Sequence, residues 1–263
     1  MGILNVTADS FSDGGRFLDA DAAIAQGLAL DACGADLVDV GGESTRPGAE
    51  RVDAEVELAR VLPVVRALVA RGIVVSVDTM RAEVAAASVE AGASWINDVS
   101  GGLADPAMLA TVAELGAGYV AMHWRGHSAR MQDAAVYEDV AREVAAELAD
   151  RRDAALAAGI DPGRLVLDPG IGFAKTPDQN WTLLAHLDAV EALGQPVLLG
   201  VSRKRFLGDL LADAAGPRPP EQRDAATTAL TAWAAQRGLW GVRTHDVRGQ
   251  RDAIAVLQRL KEG

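Results

Sequence analysis

Seven times along this chain an Ala-rich, helix-like segment meets a glycine, and a short apolar run follows that ends in a polar or charged residue. The joints are CGADLVDV (Gly34 to Asp39), RGIVVSVD (Gly72 to Asp78), AGASWIND (Gly92 to Asn97), LGAGYVAMH (Gly116 to His123), AGIDPGRLVLD (Gly159 to Asp168), LGQPVLLGVSRK (Gly194 to Lys204) and RGLWGVRTH (Gly238 to His245). An eighth run, ILNV, opens the chain and leads into Thr7 and Asp9. Glycine accepts the left-handed backbone that ends a helix, and a brief run of Val, Ile and Leu reads as a strand buried on both faces. Eight strands, each followed by a helix, predict an α/β protein of the closed parallel kind, a (β/α)8 TIM barrel. The strands are placed near 2–6, 36–41, 73–78, 94–97, 118–122, 164–168, 196–200 and 239–243. Caps are expected at Asp19 or Asp21, Asp53, Asp105 (followed by Pro106) and Asp178, and a fifth helix over Tyr137 to Ala158.

An open doubly wound sheet also alternates β and α, but it gathers its site at one switch point, whereas a barrel draws on all its strand ends. Here nearly every strand ends in chemistry. The length, 263 residues, matches the ~250 usual for such a barrel, so a single domain over 1–263 is expected. A net charge of −12 argues against a general nucleic-acid or anionic-membrane surface, so a bound anion needs a local basic cluster. The single cysteine, Cys33, allows no internal disulfide. With no membrane-length apolar run and no basic-then-apolar leader before ILNV, a soluble cytoplasmic protein is expected.

Asp78, Asn97 and Asp168 stand at the ends of three different strands, and in a barrel they converge. Two carboxylates and an amide facing one cavity suit a flat ligand edge rich in N–H donors, as in an aminopyrimidine. An isolated Asp or Asn at a strand end is more often a turn cap. Three together reverse that preference. After strand seven, Ser202, Arg203, Lys204 and Arg205 form a mostly basic cluster, and Arg243 and His245 leave strand eight two residues apart, on one face of an extended strand. The loops after strands seven and eight are where this fold most often holds phosphate. A solvated helix face is the better reading of Arg205 and Arg248. Met122 either floors a flat pocket or belongs to the core. NVTADSFSDGG and GGESTRPGAE are long, glycine-bearing loops with the look of lids, although composition alone fits ordinary surface loops equally. Asn5 offers one amide oxygen to Mg²⁺, a weak signal by itself. The absence of GxxxxGK[ST], GxGxxG and His/Cys spacings disfavours nucleotide hydrolysis, dinucleotide redox and zinc chemistry.

In order, GILNVTADSFSDGG, DVGGESTRPGAE, SVDT, INDVSGG, MHWRG, DPGIGFAKT, GVSRKRFLG and RTHDV closely resemble the dihydropteroate synthase family over essentially the whole chain. The resemblance implies condensation of a pterin methylene diphosphate with p-aminobenzoate, giving dihydropteroate and pyrophosphate in folate biosynthesis. It implies that Asp78, Asn97 and Asp168 hold the pterin with Lys204 beside them and Met122 in the pocket. Thr45, Arg243, Thr244 and His245 would bind the diphosphate, and Asn5 would meet Mg²⁺. Asp13 and Arg46 would act with Lys204 in catalysis, and Phe11, Pro47 and Phe173 would bound the p-aminobenzoate pocket. A homodimer is implied too, with an apolar face from the helices between 177 and 238. A methyl-transferring pterin barrel has no use for the Lys204, Arg243 and His245 cluster, and a silent pterin-binding paralogue would not require the intact loops. Two departures from the family pattern, Thr244 for Val and Ala8 for Pro, are expected to alter packing more than reaction type; the chain also starts at strand one, which is expected to leave the barrel bottom less covered.

Overall fold

The computed structural model describes residues 1–7, 16–44, 51–127 and 131–262. Its strands are β1 (Gly2–Asn5), β2 (Val38–Gly41), β3 (Val75–Asp78), β4 (Trp95–Asp98), β5 (Gly118–Met122), β6 (Leu165–Asp168), β7 (Leu198–Leu199) and β8 (Gly241–Val242). All pair in parallel in the order β1 to β6 and β7 with β8. Single bridges between Leu167 and Val197 and between Gly2 and Thr244 join the two sheets, so the ring closes. The helices between and after them are α1 (Arg16–Ala32), α2 (Ala54–Val69), α3 (Ala82–Glu90), α4 (Met108–Leu115), α5 (Val140–Ala157), α6 (Pro177–Ala185), α7 (Asp188–Glu191), α8 (Arg205–Leu210), α9 (Asp224–Arg237) and α10 (Val247–Glu262). The closed parallel ring of a TIM barrel is therefore present.

The glycines of all seven joints have positive φ, from 64° at Gly116 to 104° at Gly92. At Gly92 an added Cβ would also stand 2.6 Å from Val69 Cγ1, so both conformation and space exclude other residues. Several expected caps differ. α1 begins at Arg16, which puts Asp19 and Asp21 inside the helix. Asp53 does precede α2 but makes no side-chain cap bond. α6 is capped by Thr176 in a reciprocal box with Gln179, with Pro177 in its first turn, and Asp178 falls within the helix; the Thr-x-x-Gln spacing was the stronger signal. Asp105 caps at a distance, accepting from the amides of Ala82 and Ala107, while α4 itself starts at Met108.

The main apolar core lies between the ring and the helices, with Val40, Val77, Ile96, Ala121, Leu167 and Leu199 as outward-facing strand residues. Inside the ring, Val120, Val166 and Leu198 form a plug with Met1. Stepping two residues along each strand from that inner layer reaches the mouth. The last inward positions are Asn5, Gly41, Asp78, Asn97, Met122, Asp168, Gly200 and Arg243. Among the described residues, no helix is long and apolar enough to cross a membrane.

Candidate active site

Two of the eight mouth positions are glycines, and they keep the space open. A Cβ on Gly200 would stand 3.4 Å from Asp168 Oδ2 and 3.9 Å from Lys204 Nζ; one on Gly41 would stand 3.8 Å from both Asn5 Oδ1 and Asp78 Oδ2. Asp78, Asn97 and Asp168 are all buried around that space. Met122 joins Met80, Val99 and the partly buried Phe173 as an apolar wall above them.

Beneath Asp78 and Asn97 sits a carboxylate that the strand-end reading passed over. Asp39, fully buried in β2, accepts from Ser76 Oγ at 2.6 Å, Asn97 Nδ2 at 3.0 Å and Arg243 Nε at 2.6 Å. Arg243 Nη2 donates to Asp78 Oδ2 at 2.8 Å. With one Nδ2 hydrogen committed to Asp39, Asn97 keeps Oδ1 as an acceptor for a ligand, beside its second N–H. Burial is the main influence raising the Asp78 carboxyl; Asp39 adds to it and Arg243 opposes it. The Arg243 guanidinium is held above its ordinary value, because Asp39 and Asp78 more than offset its burial.

On the opposite side, Asp168 Oδ1 accepts from the Gly170 amide at 2.7 Å, fixing the turn after β6. Lys204 donates to the Ile171 carbonyl, and its Nζ lies 4.6 Å from the centre of the Phe173 ring. Burial, opposed by Asp168 and reinforced by Arg243, lowers the Lys204 ammonium to about 8. The basic cluster after β7 divides. Lys204 turns toward the mouth, Arg203 pairs with Asp224 at 2.8 Å, and Arg205 is 86% exposed with Asp209 at 3.7 Å. Ser202 Oγ lies 2.9 Å from His245 Nδ1 and 3.4 Å from Thr244 Oγ1, so residues 202, 244 and 245 meet at the β7–β8 edge.

Of the residues singled out from sequence, Asn5, Asp78, Asn97, Met122, Asp168, Phe173, Lys204, Arg243, Thr244 and His245 gather at or beside one end of the ring. Phe11, Asp13, Thr45, Arg46 and Pro47 lie outside the described residues. Sequence reasoning missed Asp39 and also Asp98. Strand alternation turns Asp98 outward, where its carboxylate accepts from Ser100 Oγ, Tyr119 Oη and the amides of Ser100 and Gly102, and so organises the loop beside Asn97. The available signal was a charge inside an apolar run, which a buried strand tolerates only when it is bonded.

The arrangement presents three acceptors, one from each of Asp78, Asn97 and Asp168, with the cations Lys204 and Arg243 alongside. It suits a flat heterocycle bearing N–H groups on one edge and an anion attached beyond it. The sequence profile described as "Pterin binding enzyme" matches residues 1–245. A dihydropteroate synthase of Mycobacterium leprae is 58% identical, over 98% of this chain and 91% of the relative. The solved structure of Xanthomonas albilineans dihydropteroate synthase with 4-aminobenzoic acid superposes with a TM-score of 0.91 at 49% identity, covering 100% of this chain and 93% of that one. The same organism's enzyme in complex with 7,8-dihydropteroate gives 0.87 at 46% identity, with the same coverages.

Proposed function

The chain belongs to the pterin-binding enzyme family, among its dihydropteroate synthases, and from that membership we propose how its own residues carry the reaction. The activity is condensation of 6-hydroxymethyl-7,8-dihydropterin diphosphate with p-aminobenzoate, giving 7,8-dihydropteroate and pyrophosphate. The observation that supports the residue assignment best is the convergence of Asp78, Asn97 Oδ1 and Asp168 on one opening with Lys204 and Arg243 at its edge.

The pterin's N–H edge is received by the acceptors of Asp78, Asn97 and Asp168, with Met122 against a ring face and Lys204 donating to a ring acceptor. Arg243, Thr244, His245 and Thr45 take the diphosphate. Asn5 Oδ1 supplies one neutral oxygen, and no group of three or more His, Cys, Asp or Glu suited to a metal occurs among the described residues. That donor set fits a Mg²⁺ that keeps water and takes the substrate's phosphate oxygens, and does not fit an all-protein cage. When bound, Mg²⁺ supplies charge neutralisation on the leaving diphosphate.

The C–O bond to the diphosphate breaks with both electrons leaving on pyrophosphate, and the aromatic amine forms the new C–N bond and then loses a proton. Arg243 stabilises the charge that gathers on the leaving group, and Asp13 would stabilise the cationic carbon. Arg46 and Lys204 orient the substrates. By the family resemblance Phe11, Pro47 and Phe173 would bound the p-aminobenzoate pocket, and the two glycine-bearing loops would keep water from it. A homodimer with an apolar face from α6 to α9 is part of the same proposal.

Pyrophosphate release from the pterin diphosphate, with and without p-aminobenzoate, tests this. Release should require p-aminobenzoate in the wild type and collapse in Lys204→Ala and Arg243→Ala. Turnover that survives both substitutions removes the assignment.

A further inference from the structure

Lys175 is 3% exposed, inside the DPGIGFAKT segment after β6, and the reaction as assigned gives it no part. Its ammonium donates to the carbonyls of Gly170 at 3.0 Å and Phe173 at 3.1 Å and lies 3.0 Å from His123 Nδ1. The ionised Glu147 carboxylate on Nε2 only accepts, so the imidazole proton sits on Nε2 and Nδ1 accepts from Lys175, whose ammonium persists below about pH 7. Nε2 then donates to Glu147 Oε2 at 2.9 Å. Glu147 is in turn gripped by Arg125, which also reaches Glu143. The result is one directed chain from α5 through the end of β5 to the loop after β6. His123 is neutral in it: burial, then Lys175, lowers its imidazole to about 4.

The loop this ammonium grips is also the seat of Lys204. Ile171 accepts from Lys204 Nζ, and a Cβ on Gly172 would stand 2.9 Å from Lys204 Cδ. Ala174 is held at φ +47°, a strained conformation for a residue with a Cβ. The other holds are distributed: Asp168 on the Gly170 amide, Asn180 on the Gly172 amide, and Tyr137 Oη on the Ala174 carbonyl. Lys175 supplies the hold on the Phe173 carbonyl. Burying an ammonium for that purpose is costly, whereas the neighbouring Ala174 carbonyl is held by the uncharged Tyr137 hydroxyl.

We propose that Lys175 is a positioning residue, whose ammonium, oriented by Glu147 through His123, sets where Phe173 stands and so shapes the p-aminobenzoate pocket. The proposal rests on the assignment of Phe173 to that pocket. It separates the two substrates. Asp78 and Asn97 are held by Asp39 and Arg243 on the far side of the mouth, and Asp168 and Lys204 keep their own bonds to the Gly170 amide and the Ile171 carbonyl, so loss of Lys175 should spare pterin binding.

The test measures KM for p-aminobenzoate and, by calorimetry, Kd for the pterin diphosphate in Lys175→Met, Glu147→Gln and Phe173→Ala, with thermal melts as the check on folding. One buried hydrogen bond to a charged group corresponds to roughly a tenfold effect, so Lys175→Met should raise KM by about 10-fold or more with Kd within about 3-fold. Glu147→Gln, half-exposed and tolerant of folding, should move KM the same way by about 3-fold, and decides the matter if Lys175→Met does not fold. KM unchanged in a folded Lys175→Met, or KM and Kd rising in parallel, overturns the proposal. If Phe173→Ala raises KM and Lys175→Met does not, the positioning role alone is lost; if Phe173→Ala leaves KM unchanged, the pocket assignment falls and the proposal with it.

Discussion

The two sides of the barrel mouth hold charge in opposite ways. On the β2–β4 side two carboxylates, Asp39 and Asp78, share one guanidinium, and the Ser76 hydroxyl and one N–H of Asn97 donate to Asp39. On the β6–β7 side one carboxylate, Asp168, faces two ammoniums, Lys175 and Lys204, which donate to backbone carbonyls. The first side is a closed ion-pair network that raises its cation above the ordinary value. The second lowers both of its cations, Lys204 to about 8 and Lys175 to about 7, chiefly through burial. An arginine, which keeps its charge, suits the side that must neutralise two buried carboxylates; lysines suit the side where carbonyls are to be gripped.

Arg243→Ala breaks that contrast most severely. It leaves Asp39 and Asp78 buried without their cation, a loss of about 3–5 kcal/mol in stability by analogy with other broken buried pairs. Removing its charge from the leaving group should lower kcat/KM by ~10³. Chemical denaturation alongside pyrophosphate release reads both, and a variant as stable as the wild type would show that the β2–β4 network is not the compensated unit described. Lys204→Ala comes next, with kcat/KM down by ~10². Its stability should move the other way, staying level or rising, because the substitution removes an ammonium that burial disfavours. A matching loss of stability in the two variants would erase the distinction between the sides.

The pH profile sharpens the comparison further. In the free enzyme, Lys204 loses its proton as pH rises through about 8, so kcat/KM for the pterin diphosphate should fall there, and Lys204→Arg should move that limb upward. Stability responds in the opposite sense. Both lysines have folded values below their ordinary 10.5. Between the folded values and 10.5 the unfolded chain therefore binds more protons, and the lysines' contribution to stability increases with pH across that window. The raised Asp78 carboxyl predicts an acid limb at higher pH than an ordinary carboxylate would give. Denaturation midpoints and kcat/KM that decline together above pH 8 would contradict the assignment of the alkaline limb to Lys204.

How much of this was legible in the sequence depended on where each residue sits relative to its strand. Glycine joints and apolar runs located all eight strands, because both signals are local. Asp78, Asn97 and Asp168 were visible because they terminate those runs. Asp39 closes one of those runs too but drew no role, since it lies one inward step lower in β2, where only the closed ring brings Ser76, Asn97 and Arg243 onto it. Lys175 was hidden for a related reason. Its partner His123, 52 residues away, follows β5, and Glu147, which bonds the other nitrogen of that imidazole, comes from α5. The Asp178 cap failed on a competition between two local signals, which the Thr176 and Gln179 box wins by satisfying two backbone donors reciprocally.

The smallest effect expected is the most specific check on how the Ser202 to Arg205 cluster divides. As a sequence these four residues look like one basic patch on an acidic chain, which would make each cation a partial contributor to anion binding. The fold instead sends Lys204 toward Asp168 and leaves Arg205 86% exposed at the start of α8, 3.7 Å from Asp209. An exposed pair four residues apart on a helix contributes only about 0.3–0.5 kcal/mol, and its charge is screened within ~10 Å at ordinary salt. Arg205→Ala should therefore leave KM for the pterin diphosphate and its salt dependence at wild-type values. A KM that rises several-fold in Arg205→Ala and converges with wild type as salt is added would mean that the cluster acts through its summed field, and the separate roles given to Lys204 and Arg243 would have to be merged into one electrostatic surface.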